Sequence, residues 1–175
     1  MPDALRIAPL DHRDLAVAAQ IHAILMPAYA QEAAMLGVQV FEPLQRTVAQ
    51  VAADDDLYLG AYVGERLAGA LSIGPDRDAG EEQAGQMLIS SLVVHPEFQR
   101  RGLARALLLE ALRLGAGDAT VFTVATGLAN APALALYQGL GFVPYRLGTI
   151  GQEELALVKL RRLSEAQATQ DGRAP

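Results

Sequence analysis

A single domain of the α/β (α+β) class is the fold this sequence predicts, and three observations carry it. The chain has 175 residues, of which 51% are hydrophobic and 19% charged, enough for one full core and too few for two. Runs of β-type and helical periodicity alternate along most of its length. Two β-type runs, Leu57 to Val63 and Leu67 to Gly74, are separated only by Gly64-Glu65-Arg66, the spacing of an antiparallel hairpin.

The elements follow in order. Leu5, Ile7 and Pro9 alternate with polar or small neighbours as a short strand, after which Asp11 offers a side-chain oxygen to a helix start. Leu15, Ala18, Ala19, Ile21, His22 and Leu25 keep helical spacing, and Pro27 predicts a break into two pieces near Met26-Pro27 before Gly37 stops the run. Pro43 opens a second helix with Leu44, Val48, Val51 and Ala52 on one face, and Asp54-Asp55-Asp56 reads as a solvated turn. The hairpin comes next, then an aperiodic stretch from Pro75 to Gln86 that predicts a mobile loop, then a buried strand from Met87 to Val94. Leu103, Ala106, Leu107, Glu110, Ala111 and Leu114 form a helical stripe ended by Gly115 to Gly117. Thr120 to Ala125 is a strand, Asn130 caps a helix reaching Leu140, Gly141 supplies a left-handed stop, and strands at Phe142 to Leu147 and Glu154 to Leu160 complete the sheet. The domain is expected over residues 1–160, with a polar tail at 161–175 that has little to bury.

Composition narrows the function. Asp plus Glu number 20 against 14 Lys plus Arg, a net charge of −6, so the overall field repels phosphate backbones and nucleic acid is not an expected partner. Cysteine is absent, which removes disulfides, thiolate zinc and a cysteine nucleophile. His12 and His22 lack metal-ligand spacing, and no metal is expected. With neither a signal peptide nor an uncharged apolar run of about 18 residues, the expected location is the cytoplasm, with no membrane partner. The apolar content is compatible with a homodimer.

The segment Leu92-Val93-Val94-His95-Pro96-Glu97-Phe98-Gln99-Arg100-Arg101-Gly102-Leu103-Ala104 passes from a strand through a polar loop into a helix. The first N–H groups of that helix lack intrahelical partners, the helix dipole is positive there, and Gly102 lets an anion approach closely. Arg100 and Arg101 add charge. A merely solvated arginine pair is the plain alternative, although positive charge at a helix start is unfavourable without an anion. No Walker Gly-Lys-Ser/Thr follows, so a diphosphate without magnesium is the better match. In the second segment, Asn130 to Phe142, residues Ala133, Leu136, Tyr137 and Leu140 share a face. Taken alone, Tyr137 is first a core tyrosine bonded to a backbone carbonyl, and Asn130 a helix cap.

Together the two segments resemble the GNAT superfamily of acyl-CoA-dependent N-acetyltransferases. Gln99-Arg100-Arg101-Gly102-Leu103-Ala104 is similar to the family's Gln/Arg-x-x-Gly-x-Gly/Ala signature, and Asn130 to Phe142 to its Asn-x-x-Ala-x-x-Leu-Tyr-x-x-x-Gly-Phe segment. The resemblance implies a mixed, mostly antiparallel sheet with splayed fourth and fifth strands and helices on both faces. It implies acetyl-CoA, or another short acyl-CoA, as co-substrate. Backbone groups from Arg100 to Ala104, after Gln99, would cradle its pyrophosphate, Leu92, Val93 and Val94 would pair with pantetheine, Asn130 would contact the cofactor, and Tyr137 would protonate the departing thiolate.

The chemistry sets its own demands. Neutralising an amine of free pKa about 10.4 costs about 4.6 kcal/mol at pH 7, so a base is needed. A backbone N–H at a bulge near Val93 or Val94 could stabilise the oxyanion formed by direct attack, and a phenol can return a proton to the thiolate. The fourth strand reads Ile89-Ser90-Ser91-Leu92 and carries no carboxylate, so water relayed to a more distant acid is expected. Glu32 and Glu42 are candidates, with Tyr29 as a wall of the acceptor pocket. Expected, then, is an N-acetyltransferase acting in a ternary complex on a primary amine of a small molecule or peptide, with the acidic surface suiting a cationic one. The alternative is a non-catalytic acyl-CoA-binding or regulatory module, motivated by the missing strand carboxylate.

Overall fold

The computed structural model describes residues 4–78 and 85–170. Its sheet has seven strands: β1 (Leu5–Leu10), β2 (Leu57–Val63), β3 (Arg66–Pro75), β4 (Gln86–Val94), β5 (Val121–Gly127), β6 (Val143–Ile150) and β7 (Leu155–Leu163). Their order is β1-β2-β3-β4-β5-β7-β6. Every neighbouring pair is antiparallel except β4 and β5, which run parallel. The long connection required between parallel neighbours contains helix α3 (Leu103–Gly115).

Strand alternation sorts the core into two layers. Tyr58, Ala70 and Val93 face helix α1 (Leu15–Leu36) and the short helix α2 (Val48–Ala52), packing with Ile21, Leu25, Tyr29 and Val51. Their strand neighbours Leu59, Leu71 and Val94 face the other way, against Leu103, Leu107 and Leu108 of α3 and Tyr137 of α4 (Ala131–Gly139). Helices therefore cover both faces. The exception is β6, the edge strand, every residue of which is exposed.

Several expectations are corrected. The cap of α1 is Asp14 and not Asp11: its Oδ1 accepts from the N–H of Ala16 at 2.7 Å and of Val17 at 3.3 Å. Pro27 lies inside one continuous helix and does not divide it. The ring removes the N–H that would bond Ala23, but Ala23 is exposed to water, while Ile24, Leu25, Ala28 and Tyr29 are buried on both sides of the proline and hold the helix together. Pro43 opens only a 3-10 turn, Glu42–Gln45. The following helix starts afresh at Thr47, whose side chain and that of Gln50 form a capping box, a Thr-x-x-Gln signal present in the sequence. At the other end, β7 runs on to Leu163, Ser164 is buried, and α5 (Glu165–Gln170) follows, so the segment after residue 160 is partly built into the domain. The centre of the expected loop, residues 79–84, lies outside the described residues, as do residues 171–175 of the tail.

Candidate active site

The site begins where the sheet opens. β4 and β5 pair only from Gln86–Val121 to Ile89–Val124. Immediately afterwards β4 carries an extra residue: Ser72 faces Ser91 while Ile73 faces Ile89, so Ser90 is bulged. A bulge bends and twists its strand, and from this point the two strands part. The bulge is therefore at Ser90, not near Val93 or Val94, which stay in register with Ala70 and Gly69.

The parting opens a cavity of about 1020 Å³. Ser90, Ser91 and Leu92 line it from β4, Thr126 from β5, Tyr29 and Glu32 from α1, and Asn130 and Tyr137 from α4. Its roof is the turn between β6 and β7. There Oε1 of Glu153 accepts the N–H of Gln39 at 2.8 Å and of Val40 at 2.6 Å, tying the turn to the segment after α1. Hydrogen bonds to a charged acceptor contribute about 1.5–3 kcal/mol each in favourable cases. Glu153→Ala is expected to speed amide exchange at Gln39 and Val40 by at least about tenfold, with global Tm nearly unchanged; exchange mass spectrometry checks this.

Tyr137 is 6% exposed and packs edge-on against Phe142, ring centroids 5.8 Å apart. The expected bond from its hydroxyl to a backbone carbonyl is not formed. The hydroxyl forms no hydrogen bond with another described residue, and the side chain lines the cavity. Burial, and then the nearby Glu32 and Tyr29, push the phenol well above its ordinary pKa, so it stays protonated. Burial likewise raises Tyr29, to about 12, with Arg46 opposing. Glu32 is raised by burial against a hydrogen bond from Asn130, whose Nδ2 donates to Oε1 at 3.2 Å. Asn130 also caps α4 through the N–H of Ala133. One side chain thus serves as cap and as cavity lining.

The other predicted cofactor residues, Val93, Val94 and 99–104, are not among the residues that line this cavity. Val93 and Val94 are buried in opposite layers, leaving only their backbones available. Gln99 is committed within the protein: Nε2 donates to Oε1 of Gln31 at 2.6 Å and to the carbonyl of Val94 at 3.1 Å, fastening the loop to α1 and β4. Arg100 at φ 65° and Gly102 at φ 82° turn the chain into α3, whose start has no side-chain cap. Among the described residues no side chain caps the N–H groups there, a Cβ built on Gly102 would meet nothing within 4 Å, Leu103 anchors the turn in the core and Ala104 is half-buried. Arg100 and Arg101 are exposed, the latter held 5.3 Å over the Phe98 ring.

The Asp54-Asp55-Asp56 segment is not a solvated turn. Only Asp55 is exposed. Asp54 accepts from Arg46 and, at 2.9 Å, from the Tyr58 hydroxyl. Burial works to raise Asp54, but the Tyr58, Asp56 backbone and Arg46 hydrogen bonds together hold it below the ordinary value. Asp56 is 4% exposed and accepts from Ser90 Oγ at 2.5 Å. A Cβ on Gly74 would fall 1.9 Å from Asp56 Oδ1. Gly74→Ala is therefore expected to cost about 3 kcal/mol by overpacking, read as a lowered denaturation midpoint.

The histidines are structural. His12 Nε2 donates to the carbonyl of Asp54 at 2.8 Å, His22 Nε2 to that of Arg46 at 2.9 Å, and His95 Nδ1 accepts the N–H of Glu97 at 3.3 Å. Among the described residues no group of three or more His, Asp or Glu side chains is placed to hold a metal.

A wedge between the parallel strands, an uncapped glycine-led helix start and a phenol at the wedge are one arrangement, and the pattern of the acetyltransferase (GNAT) family matches residues 18–142. The chain belongs to the GNAT acetyltransferase family. Among solved GNAT-fold structures, it is similar to YncA of Salmonella typhimurium, described as a putative acetyltransferase with its cofactor acetyl-CoA: TM-score 0.72, 20% identity, covering 93% of this chain and 95% of that one. The ribosomal-protein-S18-alanine N-acetyltransferase of Escherichia coli matches with TM-score 0.68 and 19% identity over 92% and 94% of the two chains. PaiA N-acetyltransferase of Thermoplasma acidophilum, solved with coenzyme A, gives 0.68 and 17% over 89% and 98%. A sequence relative, the UPF0157 protein YqkA of Bacillus subtilis, is 32% identical over 133 residues, which are 76% of this chain and 36% of that protein. The GNAT chain thus spans about a third of the length of this curated relative.

Proposed function

We propose that this GNAT protein transfers an acetyl group from acetyl-CoA to a primary amine, by direct attack in a ternary complex. The observation that carries the reading is Tyr137, whose side chain lines the cavity opened where β4 and β5 part and whose hydroxyl has no hydrogen-bond partner among the described residues. The acyl-CoA supplies an activated acetyl thioester; the chain's own groups do the rest.

The residues fit such a ligand. Free N–H groups at Leu103 and Ala104, flanked by Arg100 and Arg101, bind the pyrophosphate, and Gly102 leaves room for it. Past Ile89 the β5-facing edge of β4 is unpaired, so backbone groups at Leu92, Val93 and Val94 can pair with the amides of a pantetheine arm. Gln99 keeps the loop in place, and Asn130 holds the ligand's approach to α4. Tyr137 donates its proton to the departing thiolate. Glu32 supports that role, because its negative charge disfavours ionising the phenol. Glu32 and Glu42, both lining the cavity, favour entry of a cationic amine.

The test is saturable stabilisation by acetyl-CoA in a thermal shift experiment, followed by CoA release with a panel of primary amines. Transfer to at least one amine is expected. No stabilisation by acetyl-CoA or other short acyl-CoAs would overturn the proposal.

A further inference from the structure

Resting on the transfer reading above, the geometry points to Ser90 and Asp56 as the proton exit of the reaction: Ser90 Oγ takes a proton from the acceptor ammonium as it passes its own to Asp56 Oδ2. The amine N–H bond breaks and a Ser90 O–H bond forms. The former Ser90 O–H bond breaks and an Asp56 O–H bond forms. The ammonium becomes a neutral amine, the carboxylate a carboxylic acid, and serine ends as it began.

Four observations carry this. Ser90 is the bulged residue of β4 and lines the cavity; Ser91 lines it too, but its hydroxyl is committed to that of Ser72 at 2.7 Å. Its hydroxyl proton is already directed at Asp56 Oδ2, 2.5 Å away, which leaves the Oγ lone pairs free to accept. Asp56 is 4% exposed and does not line the cavity itself, so Ser90 is its contact with a substrate. The space for its carboxylate exists only because residue 74 is glycine.

The neighbouring carboxylates are less suited. Asp54 is engaged by Arg46 and Tyr58 and held ionised, while Glu32 sits with Asn130 beside Tyr137. The charged groups around Asp56 are Asp54, Arg77 and Arg46. Burial raises its carboxyl most, the Ser90 hydrogen bond opposes, Asp54 adds to the rise, and Arg77 and Arg46 lower it. Asp54 and Asp56, two residues apart, are thereby pushed in opposite directions. Asp56 is a positioning residue and proton acceptor acting through Ser90.

The experiment uses the full chain, acetyl-CoA and two acceptors: an alkylamine that the wild type acetylates, and its weakly basic trifluoro analogue, already neutral at pH 7. Ser90→Ala and Asp56→Asn are each expected to slow transfer to the alkylamine by about 10²-fold, to slow the weakly basic amine less than about threefold, and to leave acetyl-CoA affinity unchanged. The deficit should shrink as pH rises and the alkylamine deprotonates unaided, and Ser90→Thr should restore much of the rate. An equal loss on both amines at every pH, or no loss on either, overturns the relay. If Asp56→Asn does not fold, Ser90→Ala and Ser90→Thr still decide it. If the wild type binds acetyl-CoA but releases CoA with no amine, the transfer reading fails and the relay with it, an outcome distinct from an active wild type with indifferent variants.

Discussion

Tyr137→Phe is expected to slow the chemical step by about 10³-fold while acetyl-CoA affinity changes less than about threefold. The size follows from the loss of a positioned acid, which is worth 10²–10⁴-fold. The selectivity follows from the structure. The ring is 6% exposed and packed on Phe142, so phenylalanine fills the same space. Among the described residues the hydroxyl has no hydrogen-bond partner to lose, so removing it leaves none of them newly unsatisfied. Stability should be equal or slightly higher. Its pKa, pushed up by burial, Glu32 and Tyr29, means the wild-type phenol remains an acid throughout the neutral range, so no rate loss from its ionisation is expected below about pH 10. Single-turnover kinetics with a good amine checks the rate, and calorimetric titration with acetyl-CoA checks the affinity. An unchanged single-turnover rate would remove Tyr137 from the acid role.

Gly102→Val is expected to raise the dissociation constant for acetyl-CoA and for free CoA alike by at least about 10²-fold, equivalent to about 2.7 kcal/mol. Two effects combine. At φ 82° a β-branched residue is strained, since even a simple L side chain costs about 1–2 kcal/mol in the left-handed region. The side chain would also project into the open space before the free N–H groups of α3, where a pyrophosphate would lie. Because nothing in the protein occupies that space, the fold should survive with a modest fall in Tm. Gly102→Ala separates the two effects: it carries the backbone strain with far less bulk and should bind CoA with an intermediate constant. Equal affinity of wild type and Gly102→Val for CoA would show that the α3 start is not the cradle.

Much of this architecture was legible because its signals are local. Hairpin composition, the α3 stripe, Gly37 and Gly141 as left-handed stops and Asn130 as a cap all depend on residues within one turn or one strand pair. The misplacements have a different origin. Asp14 in place of Asp11 is a choice between two acceptors three residues apart. Pro27 fails to divide α1 because burial on both sides outweighs one lost hydrogen bond. The 161–163 stretch joins β7 because β5 offers partners as far as Val121, opposite Leu163.

For the candidate site, sequence alone singled out the loop at Gln99 to Ala104, the Asn130 to Phe142 segment with Tyr137, and the absence of a carboxylate in the middle of β4, because each is a contiguous string with a local geometric meaning. Tertiary structure decided what no string contains. It moved the bulge to Ser90, where the wedge opens, since register with β3 is a property of two strands. It joined Glu32 to Asn130 across 98 residues and Ser90 to Asp56 across 34, and emptied the space at Gly74 for a carboxylate. Burial then raises the pKa of Tyr137, Glu32 and Asp56, because the cost of charge depends on what the folded chain stacks around a group rather than on its neighbours in sequence.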